Sequence, residues 1–397
     1  MRKIFTITAN DMRGINRSAI IELARRAGRI SRTEIAARLN ISLPTVMRIV
    51  DELLAEKLLR ITGDKSFSGG RKREILEFNA AAHVVIGVDL GGTKLYGAVS
   101  DLGGKILSEI HIAPHHTREE DSFALLVNAL EQLRQTAIDS GLHLMGVGIG
   151  VTGVIAPETG CVTLAPALNW TGFPLRQRLQ AHFAIPIEIE NDVRMAALGE
   201  SWFGAGREAE SLVLIAVGTG IGSGIVVNSI VYPGANNIAG EIGYLLPDLT
   251  HLARNYDQFG AFEQLASGTG IAQRARQALS GQRATKELAD LSAVDVFAAA
   301  RQGESWAQAV VAETVDYLAQ AIAAVQLILD PELILLGGGV SAAADLLIEP
   351  ILQRLKGAIP TQPNIRVAQL GYRAGVMGSV VRLLQVTANY YRVEKFA

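Results

Sequence analysis

The chain holds a single cysteine, Cys161, among 397 residues. One thiol excludes an internal disulfide and a thiolate-rich zinc site, and it fits a reducing cytoplasm. No run reaches the roughly eighteen uninterrupted apolar residues of a membrane helix. The opening stretch, residues 1–6, lacks the apolar core and small-residue cleavage site of a secretory signal. A cytoplasmic protein with no membrane partner is therefore expected. Proline is scarce at 12 residues against 40 glycines, and charged residues make up 19% beside 49% hydrophobic ones. That balance excludes a disordered or collagen-like chain, and the length calls for two or three domains.

Net charge is only −2, but its distribution is uneven. Residues 1–83 carry 16 Lys/Arg against 9 Asp/Glu, and the remaining 314 carry 21 against 30. A basic head on an acidic body points to a polyanion at the head, although basic termini also serve simply as solubilising segments.

In the head, residues 1–15 read as an arm, and 16–79 carry three helical patterns and a hairpin. The first helix repeats Ile20, Leu23, Ala24 and Ala27, with Gly28 at the C-cap position. The second opens on Ser31 and Glu34 in capping-box spacing and ends at Asn40, a residue able to turn left-handed. The third is capped by Ser42 and has Pro44 in its first turn, with a buried stripe of Val46, Ile49, Val50, Leu53 and Leu54. Its outer face begins with Ser42, Thr45 and Arg48, suited to base edges in a major groove. A strand-like run from Leu58, a glycine-rich loop with Arg71, Lys72 and Arg73, and a returning strand complete a winged helix-turn-helix. The wing cations would meet phosphate or minor groove, and Ser31, Arg32 and Thr33 join the expected DNA-contacting set. A small docking domain with a solvated charged loop is the plainer alternative.

From Val84 the texture changes to apolar strands punctuated by glycine. One strand runs through Asp89 into Gly91, Gly92, Thr93 and Lys94, and a second strand follows. About 125 residues later the pattern recurs around Gly218, Thr219, Gly220 and Gly222, and Gly337, Gly338 and Gly339 close a third strand. Such turns bring backbone N–H groups close to an anion. Singly each is an ordinary tight turn; together they suggest a duplicated fold gripping a nucleotide between two lobes. Neither a Walker A loop nor a Gly-x-Gly-x-x-Gly fingerprint is present. Asn191 and Asp192 end a strand before a helix, so Asp192 is either a general base facing the cleft or the cap of that helix.

Asp89-Leu-Gly-Gly-Thr-Lys94, Glu190-Asn-Asp192, the 218–224 glycine run and Ala239-Gly-Glu-Ile-Gly243, in this order, resemble the ROK family of repressors and sugar kinases. With a winged helix-turn-helix in front, the chain is similar to the repressor branch. The resemblance covers residues 14–390. It implies an α/β, two-lobed, actin-like body, with lobe 1 at 84–200, lobe 2 at 201–375 and a C-terminal helix at about 376–390 packing back on lobe 1. It further implies sugar contacts at Asn169, Asn191, Asp192, Glu241 and Glu263, with Asp192 as base if the chain is a kinase. Asp89 would then hold magnesium, and the glycine turns would meet the phosphates of ATP.

The chain departs from the family where a histidine and three cysteines hold zinc. Tyr244, Arg254, Tyr256 and Ala261 stand at those positions, so no zinc is expected. Because the missing histidine also touches sugar, Tyr244 is expected at the sugar instead. The reading is a sugar-responsive regulator that binds operator DNA as a dimer or tetramer, takes a sugar or sugar phosphate as effector, and needs no cofactor to bind DNA. The alternative is an ATP- and Mg2+-dependent hexose or N-acetylhexosamine kinase.

Overall fold

The computed structural model describes residues 9–68, 71–113, 119–256, 260–281 and 288–387, with backbone alone for 9–11, 63–68, 71–73 and 387. The head consists of α1 (Ala9–Ala27), β1 (Ile30–Ser31), α2 (Arg32–Leu39), α3 (Leu43–Ala55), β2 (Leu59–Ser68) and β3 (Arg71–Phe78). The strands pair in the order β1-β3-β2, so the hairpin of β2 and β3 stands as a wing beside three helices. Local chemistry sets the boundaries. Gly28 ends α1 at φ 71°, Asn40 ends α2 at φ 52°, and the Ser31–Glu34 capping box opens α2.

Two expectations for the head are corrected. Residues 9–15 are the first turns of α1 and not an arm. Long-range ion pairs hold that stretch, Arg13 to Glu52 of α3 at 2.7 Å and, one turn on, Arg17 to Glu56 at the C-cap of α3. Ser42 holds the N-cap position of α3 and its carbonyl accepts the Val46 N–H at 3.0 Å, but its side chain caps no N–H group; the hydroxyl lies 2.7 Å from that of Thr45.

Lobe 1 contains β4 (His83–Leu90), β5 (Leu95–Asp101), β6 (Ile106–Ile112), α4 (Glu119–Asp139), β7 (His143–Val151), β8 (Val154–Ala156), β9 (Cys161–Ala165), β10 (Trp170–Phe173), α5 (Leu175–Gln180), β11 (Ile187–Asn191) and α6 (Asp192–Phe203). Its main sheet has the order β11-β7-β4-β5-β6, an antiparallel meander continued by two parallel strands. Lobe 2 contains β12 (Ser211–Val217), β13 (Ile221–Val227), β14 (Ile230–Val231), α7 (Ala261–Ala266), α8 (Gly268–Ala278), α9 (Ala293–Arg301), α10 (Ser305–Leu329), β15 (Leu333–Gly337), α11 (Ala344–Leu355) and β16 (Ile365–Val367). Its sheet, β14-β13-β12-β15-β16, repeats the same pairing pattern. The duplication suggested by the glycine turns is thus a duplication of sheet topology.

By length and composition α10 is apolar enough to cross a bilayer. One of its faces, including Val310, Val315, Leu318, Ile322 and Val325, is buried in the core of lobe 2.

The last described helix, α12 (Ala374–Thr387), returns to lobe 1 and lies against α6, β4 and β7. The approach to α6 is backbone to backbone. A Cβ on Gly199 would fall 2.2 Å from the Ala374 carbonyl, and one on Gly378 would fall 1.8 Å from the Met195 carbonyl. Val380, Val381, Leu383 and Leu384 of α12 and Leu198 and Trp202 of α6 then join Ile20, Ile35, Val46 and Leu53 in one buried cluster. Head and body share a core.

Candidate functional site

The two hairpin tips and the end of β15 face one another across a cleft of about 1400 Å3 between the lobes. Thr93 and Lys94 line it from the first tip, Gly218, Thr219, Gly220 and Gly222 from the second, and Gly337, Gly338 and Gly339 from the end of β15. Gly91 and Gly92 lie behind the lining and shape its turn. The Gly91 N–H donates to the Lys94 carbonyl at 2.9 Å, and a Cβ on Gly92 would meet that of Ala167 at 2.7 Å.

Carboxyl groups gather in this cleft. Asp89 comes from the end of β4, Asp192 from the first turn of α6, Glu241 from the loop after β14, and Glu263 from α7. Burial, then the charge of Asp89, pushes the Asp192 carboxyl up to about 7. Burial also raises Asp89, against the pull of Lys94, whose ammonium is 3.3 Å away. Burial raises Glu241 against the pull of Arg194. For Glu263, burial outweighs a 2.7 Å hydrogen bond from the Ile221 N–H. Desolvated carboxyls with raised pKa accept and, when protonated, donate hydrogen bonds within one site, the chemistry that grips vicinal hydroxyls.

Asn191 and Asp192 share the first turn of α6: the Val193 N–H is within reach of both, and Asp192 Oδ1 accepts from it at 2.9 Å. Asn191 is the helix cap: its Oδ1 accepts from the N–H groups of Val193 and Arg194 at 3.0 and 3.1 Å, and its amide donates to the Gly153 carbonyl at 3.0 Å. Asn191 holds the N-cap position with two N–H groups, while the Asp192 carboxyl takes one of them and also lines the cleft. Asn169, expected at the sugar, is exposed in a left-handed turn at φ 57° and stands outside the cleft lining. Its neighbour Trp170 is buried in the lobe 1 core, and Pro166 and Ala167 of the same turn do line the cleft.

Tyr244 lines the cleft about half exposed, and burial beside Glu241 and Glu263 raises its phenol. The other positions that hold zinc in the family offer no donor set for it. Arg254 is a cation, Ala261 is a methyl group, and the Tyr256 hydroxyl is engaged with His251 Nδ1. Among the described residues no three His, Cys, Asp or Glu side chains are grouped as metal ligands.

Sequence reasoning missed Arg194. It is 3% exposed, and its guanidinium donates to the carbonyls of Asn237 and Ala239, both at 2.8 Å, fixing the loop that carries Glu241. The available signal was an arginine four residues after Glu190 on an otherwise apolar helix face; the two are 3.6 Å apart. Thr152, Thr269 and Tyr372 also line the cleft without having been singled out.

In the head, Arg48 projects from α3 with its charge 4.0 Å from Glu52, and Thr33 is exposed. Two other expected DNA contacts are corrected. Ser31 is buried as the cap of α2, and Arg32 is held by Asp51 of α3 and Glu74 of β3. The side chains of Arg71, Lys72 and Arg73 lie outside the described residues.

A winged helix-turn-helix in front of a duplicated two-lobed body with an acidic cleft defines the class. The winged helix-turn-helix DNA-binding family matches residues 15–60, and the ROK family matches residues 85–385. The chain belongs to the ROK family. It is 37% identical over 309 residues to a glucokinase of Halalkalibacterium halodurans, covering 74% of this chain and 92% of that one. It is 29% identical over 382 residues to a putative xylose repressor of a Caldicellulosiruptor species, covering 93% and 95%. Among solved structures, a ROK family transcriptional regulator, a homolog of the Escherichia coli MLC protein, superposes with TM-score 0.81 at 25% identity over 96% of this chain and 98% of that one.

Proposed function

We propose that the chain is a sugar-responsive transcriptional regulator, a repressor of a carbohydrate uptake or catabolic operon. It binds a pseudo-palindromic operator as a symmetric homo-oligomer, dimer or tetramer, in the cytoplasm. The observation that carries this reading is the course of α6. Its first residue, Asp192, lines the acidic cleft, and Trp202 near its other end lies under the guanidinium of Arg25, 4.4 Å from the ring centre, in the head. α12 runs alongside, from Ala374 and Gly375 at the cleft to Leu384 in the head core. A sugar that draws the lobes together therefore pulls on two helices that end against the DNA-binding unit. The switch requires that the sugar bind the two arrangements with different affinity. Neither zinc nor any cofactor enters this reading of DNA binding.

The test is selection of genomic DNA fragments by the purified protein at near-physiological salt, with and without candidate sugars and sugar phosphates. Recovery of one palindromic site beside carbohydrate genes, released by one sugar, is the expected result. No fragment enriched under any condition would sink the proposal.

A second reading rests on one observation, the meeting of Asp192, Asp89, Lys94 and the 218–222 glycine turn in one cleft. The Asp192 carboxyl, with a pKa of about 7, is suited to take the proton of a sugar hydroxyl, with Lys94 and the two hairpin turns placed for phosphates. Magnesium, held at Asp89 and on the nucleotide phosphates, would offset the charge of the transferring group. The corresponding activity is an ATP-dependent hexose or N-acetylhexosamine kinase, alone or alongside regulation. ATP turnover across a panel of hexoses, lost in Asp192→Asn with operator binding kept, is the result that supports it.

A further inference from the structure

The outer face of α3 is more apolar than a solvated helix face needs to be. Leu43 and Met47, one turn apart, are 40% and 49% exposed, and Arg48 stands next to Met47. The helix cannot roll to hide them. Val46, Ile49, Val50 and Leu53 fix the adjoining side in the core with no exposure at all, Val46 and Val50 standing three and seven residues after Leu43. Several polar groups near this face are already engaged. The hydroxyls of Ser42 and Thr45 bond each other, Ser31 is buried in its capping box, and Arg32 is held between Asp51 and Glu74. What this part of the helix offers a ligand is an apolar pair beside an arginine.

In the major groove the apolar group on a base edge is the C5 methyl of thymine, and the arginine fork fits the O6 and N7 acceptors of guanine. We propose that Leu43 and Met47 read thymine methyl groups, so that each operator half-site places thymine against them next to a guanine read by Arg48. The occupant is duplex DNA and not an apolar protein surface for two reasons. The face lies within the stretch that matches the DNA-binding family, and it belongs to the segment whose excess of positive charge suits a polyanion. This inference rests on the regulator reading and specifies what its head recognises.

The probe is a selected operator duplex in which each thymine in turn is replaced by 2′-deoxyuridine, which keeps base pairing and removes only the methyl. Full-length protein is expected to lose about fourfold in affinity for each methyl it buries, at one or two positions per half-site. Leu43→Ala and Met47→Ala should each erase the thymine–uracil difference at one of those positions while leaving the difference at the other position in place. Both side chains are exposed, so unchanged thermal melting is expected and rules out misfolding as the cause. Equal binding of thymine and uracil duplexes throughout, or a methyl effect that persists in both variants, overturns the inference alone. Failure to select any sequence overturns the regulator reading with it, and the two failures are distinct.

Discussion

The guanidinium of Arg25 lies 4.4 Å above the ring of Trp202. Arg25 belongs to α1 of the head and Trp202 to α6 of the body, so a cation–π contact bridges the two units at the far end of the helix that begins with Asp192. Glu22 holds the same arginine from behind at 3.0 Å. The contact is worth on the order of 0.5–2 kcal/mol, comparable to the coupling free energy between sites in many regulated proteins.

Arg25→Ala and Trp202→Leu should therefore uncouple the protein more than they disable it. Operator affinity without sugar, and sugar affinity without DNA, should each change by less than about fivefold, a loss of roughly 1 kcal/mol. The effect of sugar on operator affinity should largely disappear. Fluorescence anisotropy of a labelled operator, titrated with and without saturating sugar, reads this directly. A sugar response of wild-type size in both variants would place the coupling elsewhere.

Asp192 makes stability depend on pH in a stated direction. Its folded carboxyl titrates near 7, against 3.8 for the unconstrained group, so between those values the native state holds a proton that the unfolded state has lost. Stability from this group is complete below about pH 4 and is lost as pH rises through 7. Asp192→Asn removes that slope. Denaturant unfolding at pH 5 and pH 8 should show wild type losing more stability than the variant, by on the order of a few kcal/mol. Parallel curves for the two proteins would mean that Asp192 is ionised across the range.

The glycine contact between α6 and α12 leaves no room for a methyl group. Gly378→Ala puts a Cβ against the Met195 carbonyl, so the two helices must part. Overpacking of this kind costs about 1–3 kcal/mol or more. The unfolding midpoint should fall accordingly, and operator binding should weaken together with sugar binding because both ends of the pair shift. A neutral substitution, by melting and by both affinities, would show that the helices can separate freely.

Arg194→Met should lower sugar affinity by disordering the Glu241 loop. Two carbonyls lose a charged donor in a buried place, at a cost of about 2–4 kcal/mol. At temperatures where the variant is still folded, operator binding should persist while sugar no longer releases it. Calorimetric titration with sugar at wild-type affinity would show that Glu241 needs no such support.

The parts of the fold legible in the sequence were those set by neighbours along the chain. The Ser31–Glu34 capping box, the left-handed Asn40, the glycine at the end of α1 and the strand–turn–strand repeats are decided within a few residues. Contacts between distant residues decided the rest. Arg32 reads as a DNA contact until Asp51 and Glu74 are seen around it, and residues 9–15 read as an arm until Glu52 and Glu56 are seen to hold Arg13 and Arg17. At the cleft, the sequence offers Asn191 and Asp192 together, and only the structure shows that Asn191 takes the cap position while the Asp192 carboxyl both accepts the Val193 N–H and lines the cleft. Asn169 is expected at the sugar by family position, yet the cleft is lined by Pro166 and Ala167 of its turn and not by the asparagine itself.

The placement of α12 bears on how the protein is made. The head comes early in the sequence, but its buried cluster includes Val380, Val381, Leu383 and Leu384 from the opposite end of the chain. During synthesis the recognition helix leaves the ribosome long before these residues exist. Chains fold in units as they emerge, and contacts of such long sequence separation form late. An unfinished chain thus presents a head that is neither fully seated nor joined to its sensor, and control of DNA begins only once the sensor that governs it is complete.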